Sequence, residues 1–142
     1  MLRQDIVKTA RLLMGTPFHH AGRTMGTSGG VDCAGLVVVV ARLLNYPVVD
    51  QEDGYSRMPD GETLHRLVSR SFDPVIPALR QSGDIGLFWF DRVSKWPQHV
   101  GILTDTGIIH STMDVKRVVE TPLSKAMLKR LCHVFKFRGL ED

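Results

Sequence analysis

A chain of 142 residues, 43% hydrophobic and 23% charged, has the size of one domain built on one core. Its formal charge of +3, with Lys and Arg scattered rather than gathered in a stripe, suits contact with a polyanionic surface but gives no nucleic-acid footprint. No segment is apolar for long enough to cross a bilayer, and Arg3, Asp5, Lys8 and Arg11 interrupt the N-terminal stretch, so neither membrane insertion nor a secretory signal is expected.

In chain order, Ile6, Val7, Ala10, Leu13 and Met14 recur at helical spacing and predict a helix from about Arg3 to Met14, stopped by Gly15. Residues 15 to 30 are rich in Gly, Thr and Ser around Pro17 and carry the pair His19 and His20. They read as a long loop, and a loop of that length inside a compact domain is usually functional. Asp32 then caps an apolar run, Cys33 to Leu44, that ends at Asn45 and Pro47, as a buried helix does. The β-branched stretch Val37 to Val40 argues for strand within it. Residues 48 to 83 are the least legible, with one short helical pattern from Glu62 to Val68. After Gly83-Asp84 strands are expected at Ile85 to Phe90, His99 to Thr104, Gly107 to Thr112, Val115 to Glu120 and Cys132 to Arg138. Helices first and strands later indicate a single α+β domain, residues 1 to 142, with an antiparallel sheet.

Two cysteines, Cys33 and Cys132, lie far apart in different contexts and read as free thiols. Cys33 falls in the first turn of the predicted buried helix, where unpaired N–H groups and the helix dipole favour a thiolate. Such a site can bring a cysteine pKa from about 8.5 down to roughly 3.5–7.5. A lone cysteine is more often a small buried apolar residue, so the base has to decide the matter.

A thiol nucleophile needs a histidine in reach, itself oriented by a third polar group. Pairing Thr104 with Gly107 across the turn at 104–107 sets Leu103 against Ile108, Ile102 against Ile109 and Gly101 against His110. His110 then lies diagonal to His99 on one face, within reach of its ring. His19, His20, His65 and His133 have no such relation to one another. A metal site from His19, His20, His99 and Cys33 lacks the usual ligand spacing, and neither a metal nor a cofactor is expected.

At these residues the sequence resembles the NlpC-type cysteine peptidases of the papain-like class, and more narrowly their phage tail-assembly branch. The resemblance is carried by Leu13-Met14-Gly15-Thr16-Pro17-Phe18, Val31-Asp32-Cys33-Ala34-Gly35-Leu36-Val37, Gly83-Asp84-Ile85, His99-Val100-Gly101-Ile102 and Gly107-Ile108-Ile109-His110-Ser111, in family order. The stretch Tyr55 to Gly61 looks like the phage branch. The resemblance implies a papain-like core with the nucleophile helix packed on the sheet. It also implies hydrolysis of peptidoglycan stem peptides at a D-γ-glutamyl-diamino acid bond. Mapped here, Cys33 attacks, His99 is its base, His110 holds the His99 ring, and the Cys33 backbone N–H helps bind the oxyanion. Asp32, Phe18, His20, Tyr55 and Arg57 are candidate substrate-binding residues. Phe18 stands where many members have Tyr, and His20 where the phage branch often has His. Expected partners are the stem peptide and other phage tail proteins, and the expected location is a phage tail, or the host cytoplasm before assembly. Two other uses of the fold stay open: a structural tail-tip protein, and a thiol acyltransferase or amidase.

Overall fold

The computed structural model describes residues 1–51, 55, 62–90 and 95–142. Helix α1, Arg3–Leu12, buries Ile6, Val7 and Ala10 and closes just before Gly15, whose φ of +87° suits a residue without Cβ. Its first turn is tied down where Arg3 Nη1 donates to Asp84 Oδ1 at 2.6 Å. Asp84 is fully buried and also accepts from the Gln81 N–H, so the Gly83-Asp84 pair anchors α1 to the start of the sheet.

Within the predicted loop, two short strands pair antiparallel: β1, Arg23–Thr24, and β2, Gly30–Val31. Helix α2, Cys33–Leu43, follows with Asp32 as its cap, the carboxylate accepting from the Gly35 N–H at 2.7 Å. Every residue from Ala34 to Ala41 is buried. A helix apolar all round belongs in a core, and that burial outweighs the valines' helix penalty of a few tenths of a kcal/mol each.

Helix α3, Thr63–Ser71, leads into β3, Asp73–Val75, and a 3₁₀ turn, Pro77–Leu79. Then come β4, Ile85–Phe88; β5, His99–Leu103; β6, Gly107–Thr112; β7, Arg117–Pro122; the short helix α4, Lys125–Leu128; and β8, Leu131–Lys136. Six strands form one antiparallel sheet in the order β3-β8-β4-β5-β6-β7.

Several boundaries differ from expectation, α1 ending at Leu12 rather than Met14 and β7 at Pro122 rather than Glu120 among them. The strand at Ile85 stops at Phe88, two residues early, where the pairing with β8 shifts register. The strand expected at Val115 starts at Arg117, because residues 113–116 make the turn and Lys116 takes a φ of +61°. The last strand runs from Leu131 to Lys136, one residue earlier at its start and two at its end.

Strand alternation splits the core. Ile85, Leu87, Val100, Ile102, Ile109 and Val118 pack with α1 and α2 in the main cluster. Phe88, Leu103 and Ile108 form a second cluster beneath Leu123, Met127 and Leu131. The two chain ends meet, with the Glu141 N–H donating to the Met1 carbonyl at 3.1 Å and the Arg3 N–H to Asp142 Oδ1 at 3.0 Å. Among the described residues, no helix is long and apolar enough to cross a membrane.

Candidate active site

The hairpin of β5 and β6 sets the histidines. Ile102 pairs with Ile109 and Leu103 with Ile108, and the Thr104 N–H donates to the Gly107 carbonyl at 2.9 Å. This register puts His99 and His110 on one face of the sheet, and their rings touch, His99 Nε2 lying 2.8 Å from His110 Nδ1. The same face carries Leu103 and Ile108. A Cβ on Gly101 would come within 2.6 Å of Ile108 Cδ1, so Gly101 makes room for Ile108 beside the pair. On its far side, His110 Nε2 is 3.0 Å from Thr121 Oγ1 of β7. Phe90 stacks on His99 with ring centroids 5.0 Å apart.

Cys33 is the first residue of α2 and stands half-buried in the wall of a cavity of about 440 Å³ that also holds Ala34, His99, His110 and Ser111. Phe18, His20, Asp32 and Tyr55 also line this cavity, as do Phe90, Met113, Met127 and Arg130. Cys33, His99, His110, Asp32, Phe18, His20 and Tyr55 are thus brought to one cavity; Arg57 lies outside the described residues. Cys132 is elsewhere, on β8, with its thiol donating to the Leu87 carbonyl at 3.3 Å. Both cysteines are free. No cluster of three potential metal ligands occurs among the described residues.

The electrostatics correct one expectation. Burial pushes the Cys33 thiol up, to about 12, and the neighbouring Asp32 carboxylate adds to the rise. The backbone N–H groups of Val100, Ala34 and Cys33 itself act in the opposite sense and lose. Desolvation therefore outweighs the helix N-terminus, and the resting site holds a thiol rather than a thiolate. Cys132 is also pushed up by burial, to about 11, so acidity does not distinguish the two cysteines. His99, 3% exposed, is pushed down to about 3 by burial and then by His110, and burial lowers His110 as well. At neutral pH both imidazoles are uncharged.

Asp32 spends both oxygens on the scaffold. Oδ1 accepts from the Gly35 N–H and from Arg23 Nη1 at 3.1 Å; Oδ2 accepts from the Ala21 N–H at 2.8 Å and from the Tyr55 hydroxyl. Arg23 also grips Asp50 with Nε at 2.9 Å and Nη2 at 3.1 Å, and donates to the Tyr55 oxygen at 3.0 Å. Tyr55 in turn meets the His20 ring edge-on at 5.3 Å. Asp32 and Tyr55 thus brace the cleft wall as well as lining it.

Sequence reasoning missed Arg23, Asp50, Phe90 and Thr121. His110 pairs with Val119, and Thr121 is its diagonal neighbour; the expected strand bounds, Gly107 to Thr112 and Val115 to Glu120, set His110 against Arg117 and leave Thr121 outside the strand. No local pattern announces the pairing of Arg23 with Asp32 and Asp50.

No protein-family model matches the chain, and no curated protein does. Solved structures do match. An NlpC/P60 family protein from Bacillus cereus ATCC 10987 aligns at 21% identity and a TM-score of 0.72, over 96% of this chain and 40% of that one. The NlpC/p60 domain of the peptidoglycan hydrolase SagA aligns at 19% identity and a TM-score of 0.66, over 96% of this chain and all of that one. RipD from Mycobacterium tuberculosis, a non-catalytic NlpC/p60 domain protein adapted to peptidoglycan binding, aligns at 15% identity and a TM-score of 0.63, over 96% and 97%. The chain therefore has the NlpC/P60 fold, an α+β fold with the α2 helix packed on an antiparallel sheet, and spans about two fifths of the Bacillus cereus protein.

Proposed function

We propose that this domain is a cysteine peptidase that hydrolyses peptidoglycan stem peptides. The observation that carries the reading is the contact of His99 with His110 in the cavity that also holds Cys33 at the head of a buried helix. The likeness in fold to a domain of the peptidoglycan hydrolase SagA supports the substrate class. On this reading the Cys33 sulfur attacks the carbonyl of a D-γ-glutamyl-diamino acid bond as its proton passes to His99. His99 returns that proton to the leaving amine, and water then releases the acyl group. The Cys33 N–H, in the first helical turn and so without an intrahelical acceptor, meets the oxyanion, a donor whose loss typically costs about 3 kcal/mol of barrier. Because the thiol and imidazole rest uncharged, proton transfer has to accompany attack rather than precede it. A phage tail is the proposed carrier, and other tail proteins the proposed neighbours.

Purified muropeptides incubated with the protein should lose intact stem peptides by mass spectrometry, and Cys33→Ala should abolish the loss without unfolding the domain. His99→Ala should be nearly inactive, and His110→Gln or His110→Asn should outperform His110→Ala. Cleavage by the Cys33→Ala protein would remove this reading.

A second reading has the raised thiol in its favour: a domain that binds peptidoglycan, or a tail partner, without cleaving, as the non-catalytic RipD binds peptidoglycan. It predicts bound and intact muropeptides with the wild-type protein.

A further inference from the structure

We infer that Thr121 is a positioning residue that fixes the tautomer of His110 and, through it, the nitrogen on which His99 keeps its lone pair. The inference rests on the reading of His99 as a base, and it concerns the proton positions along one chain of contacts, His99 Nε2 to His110 Nδ1 at 2.8 Å and His110 Nε2 to Thr121 Oγ1 at 3.0 Å.

Two uncharged imidazoles share one proton across a 2.8 Å contact, so the chain has two possible polarities. In the first, His99 Nε2–H donates to His110 Nδ1, His110 carries its proton on Nε2 and donates it to the Thr121 oxygen, and His99 Nδ1 is left with a lone pair. In the second, the Thr121 hydroxyl donates to His110 Nε2, His110 Nδ1–H donates to His99 Nε2, and the His99 proton sits on Nδ1. Because Nε2 of His99 is occupied by His110 in both, Nδ1 is the nitrogen left for the thiol proton. Only the first polarity lets it accept.

The charged stage of the reaction decides between them. Once His99 has taken the thiol proton, both its nitrogens carry hydrogen, so His110 Nδ1 must accept and His110 Nε2–H must point at an acceptor. The Thr121 oxygen lies at that position on β7, which pairs with β6 in a register that sets Thr121 against Ile108, diagonal to His110. A hydrogen bond that supports a charge present only after proton transfer favours the transition state over the resting state. The position is held closely: a Cβ on Gly107 would come within 1.9 Å of the Thr121 carbonyl oxygen, so β6 and β7 meet there backbone to backbone.

The test separates this inference from the catalytic reading. Long-range ¹H–¹⁵N spectra of the wild-type protein at neutral pH should place the His110 proton on Nε2 and the His99 proton on Nε2. A wild-type His110 protonated on Nδ1 would overturn the inference whatever the enzyme does, and the spectra need no substrate. Thr121→Val, which keeps the shape and removes the acceptor, should populate the Nδ1–H tautomer of His110 and slow muropeptide cleavage roughly tenfold to a hundredfold in kcat, with KM little changed. Thr121→Ser should restore both to within about twofold. If Thr121→Val does not fold, Thr121→Ala is read in the same two ways. A threonine variant that folds, keeps the wild-type tautomers and keeps the wild-type rate would overturn the inference, whereas normal tautomer control in a protein that cleaves nothing would sink only the catalytic reading.

Discussion

At Cys33 two opposing effects act on one sulfur, and their order is set by how much water the fold removes. The helix N-terminus supplies donors at the right place, yet the apolar packing that builds α2 also strips the thiol of solvent, and the Asp32 carboxylate stands beside it. Because the folded thiol lies well above an ordinary cysteine, its thiolate fraction near pH 7 is very small. The rate of iodoacetamide alkylation at Cys33 should therefore climb with pH through neutrality and still be rising above pH 9. A plateau at or below pH 8 would mean that the dipole and donors win after all. Reactivity at neutral pH should then depend on what enters the cavity, since a bound carbonyl changes the solvation that holds the thiol up.

At the scale of elements, α2 depends on Asp32 for more than its cap. One carboxylate holds the Gly35 and Ala21 N–H groups, Arg23 and the Tyr55 hydroxyl, and so joins the helix to the β1–β2 hairpin. Asp32→Asn removes the charge from a buried pair and should cost about 3 kcal/mol in chemical denaturation. It should also make Cys33 more acidic, because the carboxylate is one of the causes of its rise. A variant as stable as wild type, or with a thiol no more acidic, would contradict the respective half. Much at this scale was legible in sequence. Asp32, Cys33 and the apolar run announced α2, and a four-residue turn with two flanking strands sufficed to bring His99 and His110 together. What stayed hidden has physical reasons. β3 is three residues containing Pro74, and α4 is four residues long, both too short to establish a period. The start of β7 moved because Lys116 adopts a backbone conformation that its residue type does not advertise. The acidity of Cys33 was read from its local position, whereas burial by the whole core decided it.

For the whole molecule, the uncharged histidines give acid a way in. The unfolded chain takes up protons at His99 near pH 6.5, while in the folded protein burial and His110 hold it down to about 3. Between those values the unfolded state binds more protons, so this contribution is complete above about pH 6.5 and is lost as pH falls toward 3. Its slope approaches 1.4 kcal/mol per pH unit, about the full value for one group. His99→Gln should reduce the dependence of stability on pH by about that much between roughly pH 4 and 6. Melting curves in which wild type and variant share one acid slope would show that His99 accepts a proton within the fold. The meeting of the chain ends has a consequence of another kind. Since Met1 and Glu141 touch through their backbones, residues 1 and 141 are neighbours that a short linker can span. Joining the ends through a few glycines and opening the exposed turn at Asp105 and Thr106 should give a permuted chain that melts cooperatively and keeps His99 against His110. If it does not, the covalent turn, and not the sheet around it, is what holds the two rings together. If it does, the domain behaves as a cassette that can be spliced into a surface loop of a carrier, entering and leaving at a single point.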